Sequence, residues 1–156
     1  MQQVHSKSDT FTEFVRTAEP RLRNAFVSSY GHEIGRDAAA EALAYAWENW
    51  ERIEMMENPI GYLYRVGRSR SRTMFRKTGP LPRPTSSHMP WIEPALPHAL
   101  EALSLNQRRA VLLVKGFGWS YREVAELLGT SLGTVQKHVD RGLAKLRASL
   151  EVSIDV

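Results

Sequence analysis

Apolar residues recur along this chain at intervals of three and four, the spacing that lines one side of a helix, and never in the strict alternation of a strand. Phe11, Phe14, Val15 and Ala18, followed by Leu22, Ala25 and Phe26, predict a first helical stretch with a break or kink at Pro20. Residues 37–50, rich in Ala, Glu and Leu, predict a second. Asn58 and Pro59 then open a third, with Ile60, Leu63, Val66 and Met74 as its apolar positions, because proline is tolerated in the first helical turn. Further on, residues 99–103 and 106–115 are periodic, and Gly116 and Gly118 set them apart from the next stretch. The predicted fold class is all-α.

Proline divides the chain. Six of the eight prolines (Pro80, Pro82, Pro84, Pro90, Pro94 and Pro97) fall within residues 79–97, where fixed φ angles and missing N–H groups forbid a continuous helix. The expected organisation is two small helical domains, 1–78 and 98–156, joined by a Pro-rich linker, 79–97. Fully extended, such a linker reaches about 60 Å, so the two domains can act on separate sites. Trp91 and Ile92 within it suit docking on a surface as well as spacing.

The sharpest local pattern spans residues 120–146. Ser120 is placed to cap a short helix over 121–128 that turns Val124, Ala125, Leu127 and Leu128 inward, and Gly129 can end it in the left-handed conformation. After a three-residue turn, Ser131 caps a second helix, with Leu132, Val135, Val139, Leu143 and Leu146 inward and Thr134, Gln136, Lys137, His138, Asp140 and Arg141 outward. This is a helix-turn-helix, whose second helix is of the kind that enters the major groove of DNA. Lys137 and Gln136 are the best placed to read base edges; Tyr121, Arg122 and Thr130 to position the backbone; Gly133 and Thr134 leave space for close approach; and Arg141, Lys145 and Arg147 reach phosphates. The same two-helix corner also occurs as plain packing.

Composition narrows the function classes. At 156 residues the chain is too short for an eight-fold α/β barrel, and with 42% hydrophobic and 24% charged residues it has the make-up of a folded protein. No run is long and apolar enough to span a bilayer, residues 1–8 lack the apolar core of a secretion signal, and a cytoplasmic protein with no membrane partner is expected. Cysteine is absent, which removes disulfides and thiolate chemistry.

The net charge is only +4, but it is unevenly placed. Residues 36–58 hold six acids (Asp37, Glu41, Glu48, Glu51, Glu54, Glu57) against Arg36 and Arg52, whereas residues 65–77 hold six bases (Arg65, Arg68, Arg70, Arg72, Arg76, Lys77) and no acid. The basic run fits a polyanion, and equally a solvated helix face balanced by the acids before it.

Taken together, these residues carry a resemblance over nearly the whole chain. LSLNQRRAVLLVKGFGWSYREVAELLGTSLGTVQKHVDRGLAKLRASL resembles region four, the promoter-reading domain, of bacterial RNA polymerase sigma factors of the extracytoplasmic-function group. DAAAEALAYAWENW with NPIGYLYRVGRSRSRTMFRK is similar to that group's region two. The resemblance implies that residues 98–156 read the minus-thirty-five element as duplex through Tyr121, Arg122, Thr130, Ser131, Gly133, Thr134, Gln136, Lys137, His138 and Arg141. It also implies that residues 1–78 bind core RNA polymerase through Asp37 and Glu41, and hold the melted minus-ten strand through Tyr62, Tyr64, Arg65, Arg68, Ser69 and Arg72. Asn58 is the one plausible base contact in the acidic loop where the group places its base-selecting loop.

The chain departs from the group's pattern at Ala38, Ala39 and Ala40, where bulky apolar residues and a Gln are usual, at Ser69, more often Asn, and at Tyr62, often Trp. By the resemblance, core RNA polymerase and promoter DNA are the partners, and sequestration by an anti-sigma factor is common in the group. Trp47 and Trp50 are expected to be buried against the first helix, and aromatic residues such as Tyr62, Tyr64 and Phe75 also suit core packing.

One rival class is a helix-turn-helix regulator that binds an operator without serving as a polymerase subunit, but its usual receiver domain would need an alternating α/β pattern that is missing before the linker. An enzyme is not expected: there is no glycine-rich phosphate loop, no paired metal ligands and no Ser, His and Asp at motif spacing. His5, His32, His88, His98 and His138 are scattered, and neither a metal nor a cofactor is implied.

Overall fold

The computed structural model describes residues 6–78 and 95–154, with side chains for 6–70 and 95–151, and these fall into two compact units within Met1–Leu81 and Pro82–Val156. The described residues are helical without strands. Most of the predicted linker lies outside them, although its last two residues, Leu96 and Pro97, begin a helix.

The first unit contains α1 (Lys7–Tyr30), α2 (His32–Glu48), α3 (Trp50–Ile53) and α4 (Pro59–Thr78). Ser6 caps α1 by accepting from the Asp9 amide at 3.2 Å. The helix then runs through Pro20 as one element, so of the break or kink expected there a break is excluded. A proline inside a helix costs ~3 kcal/mol, but Ala18 and Leu22 on either side of it are fully buried, and that packing offsets the loss. Gly31, at φ 83°, makes the corner into α2, a backbone angle that a side chain disfavours.

Helix α2 buries Ala38, Ala39, Ala42 and Ala46, so its inner side is thin and α1 and α4 pack close around it. Gly67 extends the same device to α4: a Cβ there would come within 2.3 Å of the Phe26 ring. Phe26 in turn lies 5.0 Å from the Tyr64 ring, and with Leu22, Ile53 and Leu63 these residues form the core. Trp50 closes one end, packed on Phe11 and Phe14 with its Nε1 donating to the Thr10 hydroxyl at 2.8 Å.

The second unit contains α5 (Leu96–Glu101), α6 (Leu105–Val111), a π-helical segment (Leu112–Gly116), α7 (Tyr121–Leu128) and α8 (Leu132–Ile154). Both α6 and α7 open with a capping box: Ser104 with Gln107, and Ser120 with Glu123, each satisfying two amides that a helix start leaves without partners. One cluster of Ala99, Leu103, Val111 and Leu146, lined by Leu96, Leu100, Leu143 and Leu150, holds α5 and α6 against α8. Val124, Val135 and Val139, fully buried, hold α7 against it. At Gly142 a Cβ would meet Val111 at 2.6 Å, so α8 crosses α6 at close range.

Candidate nucleic-acid interface

In the second unit the helix-turn-helix forms as the sequence indicates. Helix α7 ends at Gly129, which adopts φ 66° and ψ 38°, and the amides of Gly129 and Thr130 both donate to the Ala125 carbonyl. Ser131 then starts α8 by accepting from the Thr134 amide at 3.1 Å, and its hydroxyl meets that of Thr134 at 2.8 Å. Because Val135 and Val139 anchor the helix from below, Gln136, Lys137, Asp140 and Arg141 are carried outward together and are all exposed. Gly133 is exposed with open space around its α-carbon, while Thr134 and His138 are half-buried along one flank. Arg122 and Thr130 are exposed, and Tyr121 is half-buried at the start of α7.

One expectation on this helix needs correction. Leu132 does not point inward: it is 47% exposed, at the first residue of α8. Lys145 is exposed, and its ammonium donates to the Gln107 Oε1 of α6 at 3.2 Å.

In the first unit α4 sorts its residues into two sides. Tyr62, Arg65 and Ser69 lie outward along one side, Arg65 and Ser69 exposed and Tyr62 half-buried, with Arg68 half-buried on the flank. Tyr64 is on the opposite side and only 1% exposed, with its hydroxyl 2.8 Å from that of Ser29. Its placement as a strand contact is therefore corrected: a ring enclosed by the core has no face to offer a base. Asn58 serves α4 as a cap, its Oδ1 accepting from the Gly61 amide at 3.1 Å, which leaves its two Nδ2 donors and one Oδ1 lone pair for a base. The side chain of Arg72, like those of Met74 and Phe75, lies outside the described residues.

Asp37 and Glu41 are exposed one turn apart on α2, with Ala38 and Ala39 between them buried and Ala40 exposed. The alanine departure from the group's pattern thus has a packing reason on its inner side, where the small side chains let the helices approach. Of the two tryptophans, Trp50 is buried at 4% as expected, whereas Trp47 is 42% exposed, its ring 5.1 Å from Phe11 and under the Lys7 ammonium at 4.6 Å.

A group that sequence reading passed over joins α2, α3 and α4. The hydroxyls of Tyr45 and Tyr62 are 3.0 Å apart, and Arg52 Nη2 donates to both, at 2.9 and 3.2 Å. These bonds raise the Arg52 pKa above its ordinary value, the Tyr62 hydroxyl contributing most, and the bonds from Tyr45 and then Arg52 lower that of Tyr62. The Arg70 guanidinium lies 5.0 Å from the Tyr45 ring centroid. The signal in the sequence was Arg52 itself, the one base among Glu48, Glu51, Glu54 and Glu57.

Among the described residues no group of three or more His, Cys, Asp or Glu could hold a metal ion, and no helix is long and apolar enough to cross a membrane.

Comparison with known proteins agrees with this geometry. Residues 94–146, which contain the whole helix-turn-helix, match the family described as Sigma-70, region 4. The chain is 28% identical over 160 residues to the ECF RNA polymerase sigma factor EcfG of Rhodopseudomonas palustris, covering 93% of this chain and 87% of that one. It is 31% identical over 152 residues to the RNA polymerase sigma-E factor of Streptomyces coelicolor, covering 90% and 85%. A solved structure, the sigma factor RpoE in complex with the anti-sigma factor NepR from Bartonella quintana, shares the fold with a TM-score of 0.66 at 24% identity, over 92% of this chain and 98% of that one. With a helix-turn-helix that fits region four and a sigma factor 31% identical along almost all of its length, the chain belongs to the sigma-70 family of RNA polymerase sigma factors, in the extracytoplasmic-function group.

Proposed function

We propose that this sigma factor divides promoter recognition between its two units, α8 reading the minus-thirty-five element as closed duplex and α4 holding the minus-ten element as separated strand. The domain assignment goes with it: 1–78 for polymerase docking and the minus-ten element, 79–97 as the tether, and 98–156 for the minus-thirty-five element.

The observation that supports the reading most is the outward side of α8, where Gln136, Lys137 and Arg141 stand exposed on a helix fixed from below by Val135 and Val139. Amide and ammonium groups so placed match base-edge acceptors in the major groove, and Arg122 and Thr130 flank them for phosphates. On α4, Tyr62 offers an aromatic surface to an unstacked base while Arg65 and Arg68 track the strand, stacking being worth about 1–3 kcal/mol per base. Ser69 and the Nδ2 of Asn58 add hydrogen bonds, and Arg72 continues the basic run.

Asp37 and Glu41, exposed on α2, dock on core polymerase. The complex solved for the Bartonella quintana relative extends to this chain as an expectation that an anti-sigma factor sequesters it. The protein acts by binding in the cytoplasm, with no catalytic residue or cofactor of its own.

Reconstitution tests this. Mixed with core polymerase, the purified chain should co-elute with it and direct a run-off transcript from a promoter mapped after overexpression. Binding of the same DNA without co-elution or transcript would reduce it to an operator-binding regulator.

A further inference from the structure

Gln136, Lys137, Asp140 and Arg141 are carried outward together on α8, and only Asp140, the one acid among them, has been given no role. At about 100° per residue, Gly133, Lys137, Asp140 and Ala144 fall within about 60° of one another, nearly opposite the side on which Val135, Val139 and Leu146 are buried. All four are exposed. Lys137 and Asp140 thus hold the centre of the outward side, with Gln136 on one edge and Arg141 on the other. Gly133 and Ala144 lie at the two ends of this stripe, and their small bulk lets the helix seat deeply enough for a side chain as short as aspartate to reach a groove floor.

Among the described residues no cation pairs with Asp140, although Lys137 precedes it by three positions and Arg141 follows it. Its carboxylate is therefore not held within the helix, and when ionised it can only accept hydrogen bonds. On an edge of the helix such a group would meet the phosphates that wall the groove and be repelled. At the centre it faces base edges, where it needs a donor. The major groove offers one on cytosine N4 and one on adenine N6, whereas guanine O6 and thymine O4 are acceptors. Adenine sets the N7 lone pair beside its amino group, which opposes a carboxylate, while cytosine has only a C–H there.

We propose that Asp140 is a specificity residue of α8, accepting a hydrogen bond from the N4 amino group of one cytosine in the closed duplex and rejecting thymine and guanine at that position. This rests on the reading of α8 as the helix that meets the minus-thirty-five element, and adds to it a base that the acid selects.

The test uses holoenzyme reconstituted from core polymerase and the full chain, with competition binding to duplexes in which each pair of the minus-thirty-five element is replaced in turn by the other three. At one position the wild type should favour cytosine over thymine by about tenfold, the effect of one hydrogen bond to a charged acceptor. In Asp140→Ala that preference should fall below about twofold, with the other positions unchanged. Asp140→Asn should raise the ratio of adenine to cytosine binding at the same position about tenfold, because an amide meets adenine N6 and N7 together. Both variants should keep the unfolding midpoint of the second unit, since the side chain is exposed.

The absence of any position whose cytosine preference depends on Asp140 overturns the proposal, as does an unchanged ratio of adenine to cytosine in Asp140→Asn. So does an Asp140→Ala variant that binds every duplex more tightly by the same factor, which would make the carboxylate a plain repellent of phosphates. Failure of the underlying reading of α8 is distinguishable, because Lys137→Ala and Arg141→Ala would then also leave affinity for the duplex unchanged.

Discussion

The two units bear different kinds of surface, and the difference explains why one was easier to read than the other. In the second unit the side of α8 proposed to meet DNA is separated from the side that packs: Val135, Val139 and Leu146 go in, and Gln136, Lys137 and Arg141 come out. In the first unit aromatic residues of one helix serve both ends. Tyr62 and Tyr64 are two positions apart, yet one joins a half-buried polar cluster and the other sits in the core against Phe26 and Ser29. A polar side chain on an amphipathic helix declares its side, whereas a tyrosine suits either, because its ring is apolar and its hydroxyl needs only one partner.

The largest expected effect probes that contrast at Tyr64. Replacing it with Ala should destabilise the first unit by ~3–5 kcal/mol, seen as a lower urea midpoint for that unit, as for other buried aromatic residues. Tyr64→Phe keeps the ring and removes its hydrogen bond to the Ser29 hydroxyl, which retains the Ala25 carbonyl, at a cost of about 1 kcal/mol, while affinity for single-stranded DNA stays unchanged. A loss of strand binding without a loss of stability would return Tyr64 to the interface.

In the second unit, Lys137→Ala should cost ~1–3 kcal/mol at one base pair of the minus-thirty-five element and leave other positions alone. Competition binding across single-base variants of the duplex checks it, since a phosphate contact would instead weaken all sequences equally and reduce the salt slope. The smallest effect concerns folding alone: Ser120→Ala removes the acceptor for the Glu123 amide and should lower stability by about 1 kcal/mol, read from thermal unfolding of the second unit.

Much of the fold was legible in the amino-acid sequence. The all-α class, the helix start at Asn58 and Pro59, the caps at Ser120 and Ser131 and the left-handed turn at Gly129 come from local chemistry, which acts within a few residues. What escaped depends on contacts between distant residues. Pro20 stays within α1 because the packing of Ala18 and Leu22 outweighs a local penalty. Leu132 is apolar and periodic yet exposed, since periodicity states which side a residue is on and not whether anything covers it. Lys145 belongs to a bond with Gln107, 38 residues away in sequence. The Arg52 cluster unites three helices, and nothing in the spacing of Tyr45, Arg52 and Tyr62 reveals that their polar tips meet.

The most direct trial of the division of labour compares one promoter in two states within a single experiment. Holoenzyme carrying Arg65→Ala and Arg68→Ala is footprinted on duplex promoter and probed with permanganate, which reports unpaired thymines. The account predicts that protection of the minus-thirty-five element persists while thymine reactivity at the minus-ten element disappears. Undiminished reactivity, or protection and reactivity lost together, would contradict it.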